Sequence, residues 1–253
     1  YANYVITEDG MDHELKVPSN KIKLVRGFDI YAGETTELIL DFDAAKSVVK
    51  AGNDKKDKWI LKPTIKVLGV YAMIHGTVAD ADGPLQEALV SAQFITDAVD
   101  VADQVVNAAA TVTEEDGTFA LMTEPGAYNL VAFAEGYEPA CMVGETSPGM
   151  AWTADFLLIE STTGVTLTGE VNVSEGDIDQ AVSISVRQQL HCPDESVLVE
   201  IVSDQVANGG TYSFVLPAGT YDVVASTTDE TTIVRPAVTL DEGQVTTEDF
   251  TFE

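Results

Sequence analysis

The chain has 253 residues, of which 45% are hydrophobic and 22% are charged, a composition typical of a globular protein of two or three domains. Its 42 acidic and 13 basic residues leave a formal net charge of −29, which repels a phosphate backbone and excludes nucleic-acid binding. No run of about 18 apolar residues is present to span a bilayer, so we expect no transmembrane segment.

Charge is distributed unevenly along the chain. Residues 1–69 hold eleven of the thirteen Lys and Arg residues together with eleven Asp and Glu residues, so this segment is neutral. Residues 70–253 therefore carry the whole of the net charge of −29. Such acidity is typical of secreted or halophilic proteins, and the neutral segment is better suited than the acidic remainder to contact another subunit.

The neutral segment contains short strand and turn patterns. The run ELILDF, residues 37–42, predicts a strand, and DAAKSVV after it predicts a short helical turn with Asp43 as its N-cap. The run KWILKPTIKVL, residues 58–68, predicts two strands separated at Pro63. These patterns indicate a β-rich domain over residues 1–69.

The same runs carry a family resemblance. The stretch AGETTELILDFDAAKSV followed by LKPTIKV, within residues 4–68, resembles the C-terminal half of an uncharacterised bacterial domain family found in lipoprotein-like surface proteins. The resemblance implies that this first domain is incomplete at its N-terminus and that its strands expose an edge for a protein partner to complete. The expected partner is a cleaved N-terminal fragment of the same gene product, or a strand from a neighbouring subunit.

Apolar side chains of the neutral segment are the candidates for this assembly interface. They are Val5, Ile22, Leu24, Phe28, Ile30, Leu38, Leu40 and Phe42. An interface built from them predicts a homo-oligomer or filament in which the acidic remainder of the chain projects outward.

The rest of the chain is an internal duplication. Residues of related type recur at an offset of 93: Gly76 and Gly169, Phe119 and Tyr212, Tyr128 and Tyr221, and Ala132 and Ala225. Each copy has a strand with a central glycine, an apolar or alternating run, and a glycine turn into an aromatic strand. A Pro-Gly or Ala-Gly turn, a tyrosine strand and a closing strand follow. Short β-branched and aromatic runs between turns predict an antiparallel β-sandwich for residues 70–160 and another for 161–253.

The first copy resembles a known domain type. The stretches IHGTVADADGPLQEALVSAQF, TVTEEDGTFAL and PGAYNLVAFAEGYEP, within residues 70–159, are similar to carboxypeptidase regulatory-like domains, which have a transthyretin-like sandwich. Residues 161–253 resemble a divergent second copy. The resemblance implies tandem antiparallel β-sandwiches of transthyretin-like or immunoglobulin-like type, and a non-catalytic accessory role.

Two cysteines are present, Cys141 and Cys192, one in each copy. They lie too far apart for a CxxC redox or zinc motif. The alternatives are two buried free thiols or one disulfide, and an extracellular setting favours the disulfide. We therefore predict a covalent bridge between the copies.

Motifs for catalysis are missing from the sequence. It contains no HExxH, GxSxG or P-loop pattern, and its histidines, His13, His75 and His191, lie in separate segments. We therefore expect no catalytic residues and no organic cofactor. His75 alternates with Ile74 in a predicted strand, which places its side chain on an outward face.

Calcium is the metal that the sequence leaves open. Loop carboxylates of the first copy supply the oxygen ligands that calcium prefers, and the candidates are Asp80, Asp82, Glu114 and Asp116. The alternative is that the Asp-Gly pairs at 82–83 and 116–117 serve tight turns. The turn interpretation is favoured, because the spacing does not match an EF-hand.

Two functional classes follow. In the first, the protein is a non-catalytic structural or interaction protein, a β-sandwich stalk or assembly subunit that is extracellular or at the surface of a bacterial cell. In the second, it is an accessory or carbohydrate-binding region of a larger secreted enzyme. Only 8% of residues are aromatic, and both tryptophans lie in strand-like runs, so we prefer the first.

Overall fold

The structure, a computed structural model, describes residues 3–6, 11–16, 39–42, 47–51, 58–61, 65–68, 71–147, 150–174, 181–193, 195–227 and 231–253. The chain is all-β, as predicted, and its described residues include a single-turn 3-10 helix at Val101–Gln104. None of the helical structure among the described residues has the length and apolar character needed to cross a bilayer.

The neutral segment forms short strands. They are β1 (Tyr4–Ile6), β2 (Asp12–Lys16), β3 (Ile39–Phe42), β4 (Val48–Ala51), β5 (Lys58–Leu61) and β6 (Ile65–Leu68). The strands predicted on either side of Pro63 are β5 and β6. The strand predicted within ELILDF is β3, which pairs with β6 in an antiparallel manner.

The first repeat is a sandwich of two sheets. Its strands are β7 (Ala72–Ala79), β8 (Leu89–Ile95), β9 (Val105–Val112), β10 (Thr118–Thr123), β11 (Gly126–Phe133), β12 (Ala140–Thr146), β13 (Ala151–Thr153) and β14 (Phe156–Leu157). One sheet has the order β10-β7-β13, with β14 also on β7, and the other has the order β12-β11-β8-β9. Along β7, Ile74 is buried and His75 is exposed, as the alternation predicted.

The second repeat has the same topology. Its strands are β15 (Gly164–Val173), β16 (Ala181–Cys192), β17 (Glu195–Ala207), β18 (Thr211–Pro217), β19 (Gly219–Thr227), β20 (Thr232–Leu240), β21 (Val245–Thr247) and β22 (Phe250–Phe252). The sheets β18-β15-β21 and β17-β16-β19-β20 correspond strand by strand to those of the first repeat. The closing strands are an exception to the predicted antiparallel pairing. β13, β14, β21 and β22 lie parallel to the first strand of their repeat.

Equivalent residues of the two repeats make equivalent contacts. The Tyr128 hydroxyl donates to the carbonyl oxygen of Glu124 at 2.7 Å, and the Tyr221 hydroxyl donates to that of Pro217 at 2.9 Å. Each tyrosine thus ties its strand to the turn before it, four residues back. This shared contact supports the duplication inferred from the sequence.

Strand β11 is buried on both faces. Tyr128, Leu130 and Ala132 belong to the core of the first repeat, whereas Val131 and Phe133 belong to the core of the second. Since successive side chains of a strand point to opposite faces, the sheet of β11 lies between the two cores. The repeats therefore pack face to face, which differs from the end-to-end row that a stalk implies.

Part of the neutral segment extends a sheet of the second repeat. β4 lies parallel to β17, with Lys50 opposite Val206, and the sheet continues through β5 and β2 to β1. Ile60 of β5 is buried against Ala181 and Ala207. We expected another polypeptide to pair with the exposed strand edge of the neutral segment. At β4 that pairing is made by β17 of the same chain. Completion of the segment by a second chain stays a prediction.

The assembly-interface candidates are only partly within the described residues. Val5 lies in β1, half-buried and opposite His13. Leu40 and Phe42 lie in β3, where the backbone alone is described. The candidates outside the described residues are Ile22, Leu24, Phe28, Ile30 and Leu38.

The helical turn predicted over DAAKSVV is confirmed at Ser47, which is helical, and is wrong at the two residues that follow. Val48 and Val49 belong to β4, which is antiparallel to β5. Two adjacent β-branched residues favour a strand, and pairing with β5 satisfies the backbone groups that a helical turn would have paired locally. Asp43 lies outside the described residues.

Candidate functional site

The carboxylates considered for calcium lie in turns of the first repeat. Asp80 Oδ1 accepts from the backbone N–H groups of Asp82 at 2.8 Å and Gly83 at 2.9 Å. Its other oxygen accepts from the Tyr137 hydroxyl at 2.7 Å. This bond lowers the pKa of Asp80 and raises the pKa of Tyr137 to about 12.

The second group of carboxylates lies in the adjacent turn. Asp116 Oδ1 accepts from the backbone N–H of Thr118 at 3.1 Å and from its hydroxyl at 2.6 Å, and these bonds lower the pKa of Asp116. Among the described residues, no three Asp, Glu, His or Cys side chains are grouped to hold a metal ion. The side chains of Asp80 and Asp116 serve the turns, in line with the favoured interpretation, and calcium binding stays the untested alternative.

The structure contains the predicted disulfide. It joins Cys141, in the edge strand β12, to Cys192, at the end of β16, with the two Cα atoms 5.1 Å apart. Cys192 is fully buried in the core of the second repeat. The bridge therefore links the two central sheets covalently.

A buried glutamine connects the same two sheets without a covalent bond. The Gln93 side chain, on β8, donates to the carbonyl oxygen of Glu200 at 2.7 Å and accepts from its N–H at 2.9 Å. Gln93 is fully buried, and its amide also donates to the Ser91 hydroxyl at 2.7 Å. The amide of Gln93 thus pairs with the backbone of β17 much as a neighbouring strand would.

Arg187, on β16, extends this polar cluster to the 3-10 helix of the first repeat. Its guanidinium donates to the carbonyl oxygens of Val101 at 2.6 Å and Ala102 at 2.8 Å. Its Nε donates to the Ser185 hydroxyl, which in turn donates to the Glu200 carboxylate. Burial lowers the pKa of Arg187, and the nearby carboxylates, led by Glu200, oppose that shift.

These polar residues were not predicted from the sequence; they are Gln93, Ser185, Arg187 and Glu200, here called the junction cluster. A signal for it was present. Arg187 lies in the alternating run AVSISVRQ, and it and Arg235 are the only Lys or Arg residues in the sequence from 70 to 253. A lone arginine inside a core strand needs buried acceptors, because an unpaired buried charge is strongly unfavourable.

Comparison with protein families gives a match for the neutral segment. Residues 3–63 match the family described as Domain of unknown function (DUF4382). This range agrees with the resemblance inferred for residues 4–68. The resemblance of residues 70–159 to carboxypeptidase regulatory-like domains stays a prediction. No curated protein matches the chain.

Solved structures that match the chain include three bacterial proteins. The Bacillus anthracis TIE protein is 12% identical with a TM-score of 0.29, and the match covers 77% of this chain and 36% of that protein. The Streptococcal ancillary pilin is 12% identical with a TM-score of 0.28, covering 79% and 68%. Shaft pilin SpaA from Lactobacillus rhamnosus GG is 11% identical with a TM-score of 0.31, covering 72% and 98%.

Proposed function

We propose that the chain is a non-catalytic structural protein outside a bacterial cell, in which two β-sandwich repeats form one rigid unit of a surface assembly. The observation that carries this proposal is the junction between the repeats. There the Cys141–Cys192 disulfide and the junction cluster hold the two central sheets together. A junction that fixes the relative geometry of two domains supports a structural role.

The chemistry of the polar side chains supports this role. Buried hydroxyl, amide and guanidinium groups at the junction bond to backbone or to each other across the layers, and the loop carboxylates Asp80 and Asp116 bond within turns. These groups thus donate and accept hydrogen bonds within the protein. Such engagement favours a scaffold over an active site, where donors and acceptors face a cavity for substrate.

The disulfide and the surface charge both support a location outside the cell. Disulfides persist in oxidising compartments and are rare in the cytosol. A net charge of −29 favours a protein that stays soluble at high concentration or high salt. A surface location is tested by labelling intact cells of the source bacterium with an antibody against residues 71–253, where staining is expected only if the chain lies outside.

Rigidity of the repeat pair is tested by backbone 15N relaxation of the full chain. A single rotational correlation time is expected for the residues of both repeats, because they share a covalent and hydrogen-bonded junction. Two distinct correlation times would show that the repeats tumble independently and would reject the proposal. Specific binding on a glycan array would instead favour the carbohydrate-binding alternative.

A further inference from the structure

A groove opens at one end of the junction between the repeats. Its volume is about 610 Å³, with β8, β9, β11 and β12 of the first repeat on one side and the end of the β16–β17 hairpin on the other. Three apolar side chains in it stay accessible to solvent: Phe94 is 37% exposed, Ile95 47% and Val143 46%. The groove is thus an apolar surface left uncovered by the packing of the two repeats.

The surroundings of this groove are acidic. Glu195 lines it, Asp97 and Asp103 directly adjoin its lining residues, and Glu145 lies on the same face of β12 as Val143, two residues along. All four carboxylates are exposed. The two arginines of residues 70–253 are engaged elsewhere, one in the junction cluster and one with Glu248. The field at the groove therefore attracts cations.

Strand β12 adds a backbone edge to this surface. Within the described part of the chain, β12 pairs with β11 alone, so its other side is the end of the sheet. An extended segment that pairs with such an edge places alternate side chains on the face where Val143 lies. The edge strand carries no lysine or proline, the residues that commonly block strand addition.

We propose that the β12 edge of this groove binds an extended peptide segment whose aliphatic side chains are flanked by Lys or Arg. The segment adds as a strand to β12, an aliphatic side chain lies beside Val143, and a basic flank faces Glu145 on the same strand. The acidic repeats of a second copy are a poorer occupant, because residues 70–253 hold thirty-one acidic and two basic residues and would repel their own kind. The inference goes beyond the rigid-unit role and does not depend on it.

The test uses the full chain and a synthetic peptide of about seven residues that alternates valine and threonine between terminal lysines. Binding is followed by NMR chemical shifts of the backbone amides. We expect shifts at β12 and around the groove, with an affinity that falls as salt is raised. A peptide with terminal glutamates in place of the lysines is expected to bind at least about tenfold more weakly. N-methylation of alternate amides is expected to abolish binding, because it removes the donors that pair with β12.

Variants of exposed residues locate the site without disturbing the fold. Val143→Arg is expected to weaken binding about tenfold or more by filling the groove with a charged side chain. Its matched control is Val245→Arg, at a valine that is 67% exposed in β21 of the second repeat, and this change is expected to leave binding unaltered. Glu145→Lys is expected to reverse the preference, so that the glutamate-flanked peptide binds better than the lysine-flanked one.

Three results would overturn the proposal. They are absence of shifts at a peptide concentration of about 1 mM, equal affinity for the lysine-flanked and glutamate-flanked peptides, and equal effects of Val143→Arg and Val245→Arg. Sedimentation velocity on the peptide-free chain addresses the second-copy alternative. A dimer that Val143→Arg dissociates would show that the groove binds another copy instead. None of these outcomes bears on the correlation times that test rigidity.

Discussion

Arg187 shows how a single side chain holds two layers together. It is 2% exposed and donates to two backbone carbonyl oxygens of the other repeat. We expect Arg187→Met to lower the free energy of unfolding by about 3 kcal/mol, because two carbonyl groups and the Glu200 carboxylate then lose their buried cationic partner. Urea denaturation of the oxidised protein measures the loss.

The control for this variant is Arg235→Met. The Arg235 side chain is 42% exposed, lies 3.5 Å from the Glu248 carboxylate and stacks 5.3 Å from the centre of the Phe250 ring. A surface ion pair with one cation-π contact contributes about 1 kcal/mol. Equal losses for the two variants would show that the junction cluster adds nothing beyond an ordinary surface arginine.

The Asp80–Tyr137 bond makes a second residue-scale prediction, on pH. The pKa of Asp80 lies below its ordinary value of 3.8, so its carboxylate contributes stability that is present above that value and is lost as the pH falls through the lowered pKa. The pKa of Tyr137 is raised from 10.0 to about 12, so its protonated hydroxyl contributes stability that is lost as the pH rises from 10 toward 12. We therefore expect Asp80→Asn to destabilise at neutral pH and to have less effect in strong acid.

Urea denaturation at neutral pH and near pH 2 compares Asp80→Asn with the parent chain. Absorbance titration of tyrosine supplies an independent readout, because loss of the Asp80 charge lowers the pKa of Tyr137. A destabilisation that is the same at both pH values, or an unchanged tyrosine titration, would contradict the assignment.

At the scale of elements, the repeats depend on a glycine in the middle of their first strand. A methyl group added at Gly76 would overlap the carbonyl oxygen of Ala154, and one added at Gly169 would overlap that of Glu248. In both repeats the backbone between the two halves of the closing strand crosses directly over this glycine. We expect Gly76→Ala and Gly169→Ala each to lower the free energy of unfolding by about 3 kcal/mol, since backbone must move to admit the methyl group.

Gly164→Ala is the matched control, at the start of the same strand β15. A methyl group there would meet only the Val215 side chain, at 3.3 Å. We expect a change of about 0.5 kcal/mol or less, of either sign, because a side chain can shift where a backbone cannot. Chemical denaturation compares the three variants, and similar losses at all three positions would show that the close approach has no special effect.

At the scale of the whole molecule, the first repeat contributes side chains to the core of the second. Val131 and Phe133 of the first repeat pack with the buried residues of the second, beside the disulfide and the junction cluster. We therefore expect residues 71–253 to unfold in one calorimetric transition, with the van't Hoff enthalpy close to the calorimetric one. Differential scanning calorimetry of the full chain measures both.

Breaking the junction should divide this transition. Reduction of the disulfide, whose cysteines are 51 residues apart, removes about 4 kcal/mol in the chain-entropy model. Reduction combined with Arg187→Met is expected to give two transitions, because the repeats then lose both specific links. Two transitions in the unmodified, oxidised chain would contradict a shared cooperative core.

Much of the fold of the repeats was determined by the sequence itself. Strands β7 and β15 are specified by the alternation of buried residues, and strands β11 and β19 by a turn glycine followed by a mostly apolar run. These are local signals that each copy of the pattern carries. The duplication and the all-β class followed from the same signals. The helical turn at Val48 and Val49 was wrong because the partner strand β5, and not the local sequence, decides the conformation of a short β-branched pair.

The arrangement of the repeats was decided by tertiary structure alone. Val131 and Phe133 are apolar in sequence whether they face their own core or a neighbour, and only the packing of β11 between two cores assigns them to the second repeat. Gln93, Arg187 and Glu200 are likewise polar residues whose burial depends on which sheet covers them. The periodicity of a strand indicates which of its faces is apolar. Which other sheet packs on that face depends on contacts between residues about a hundred positions apart.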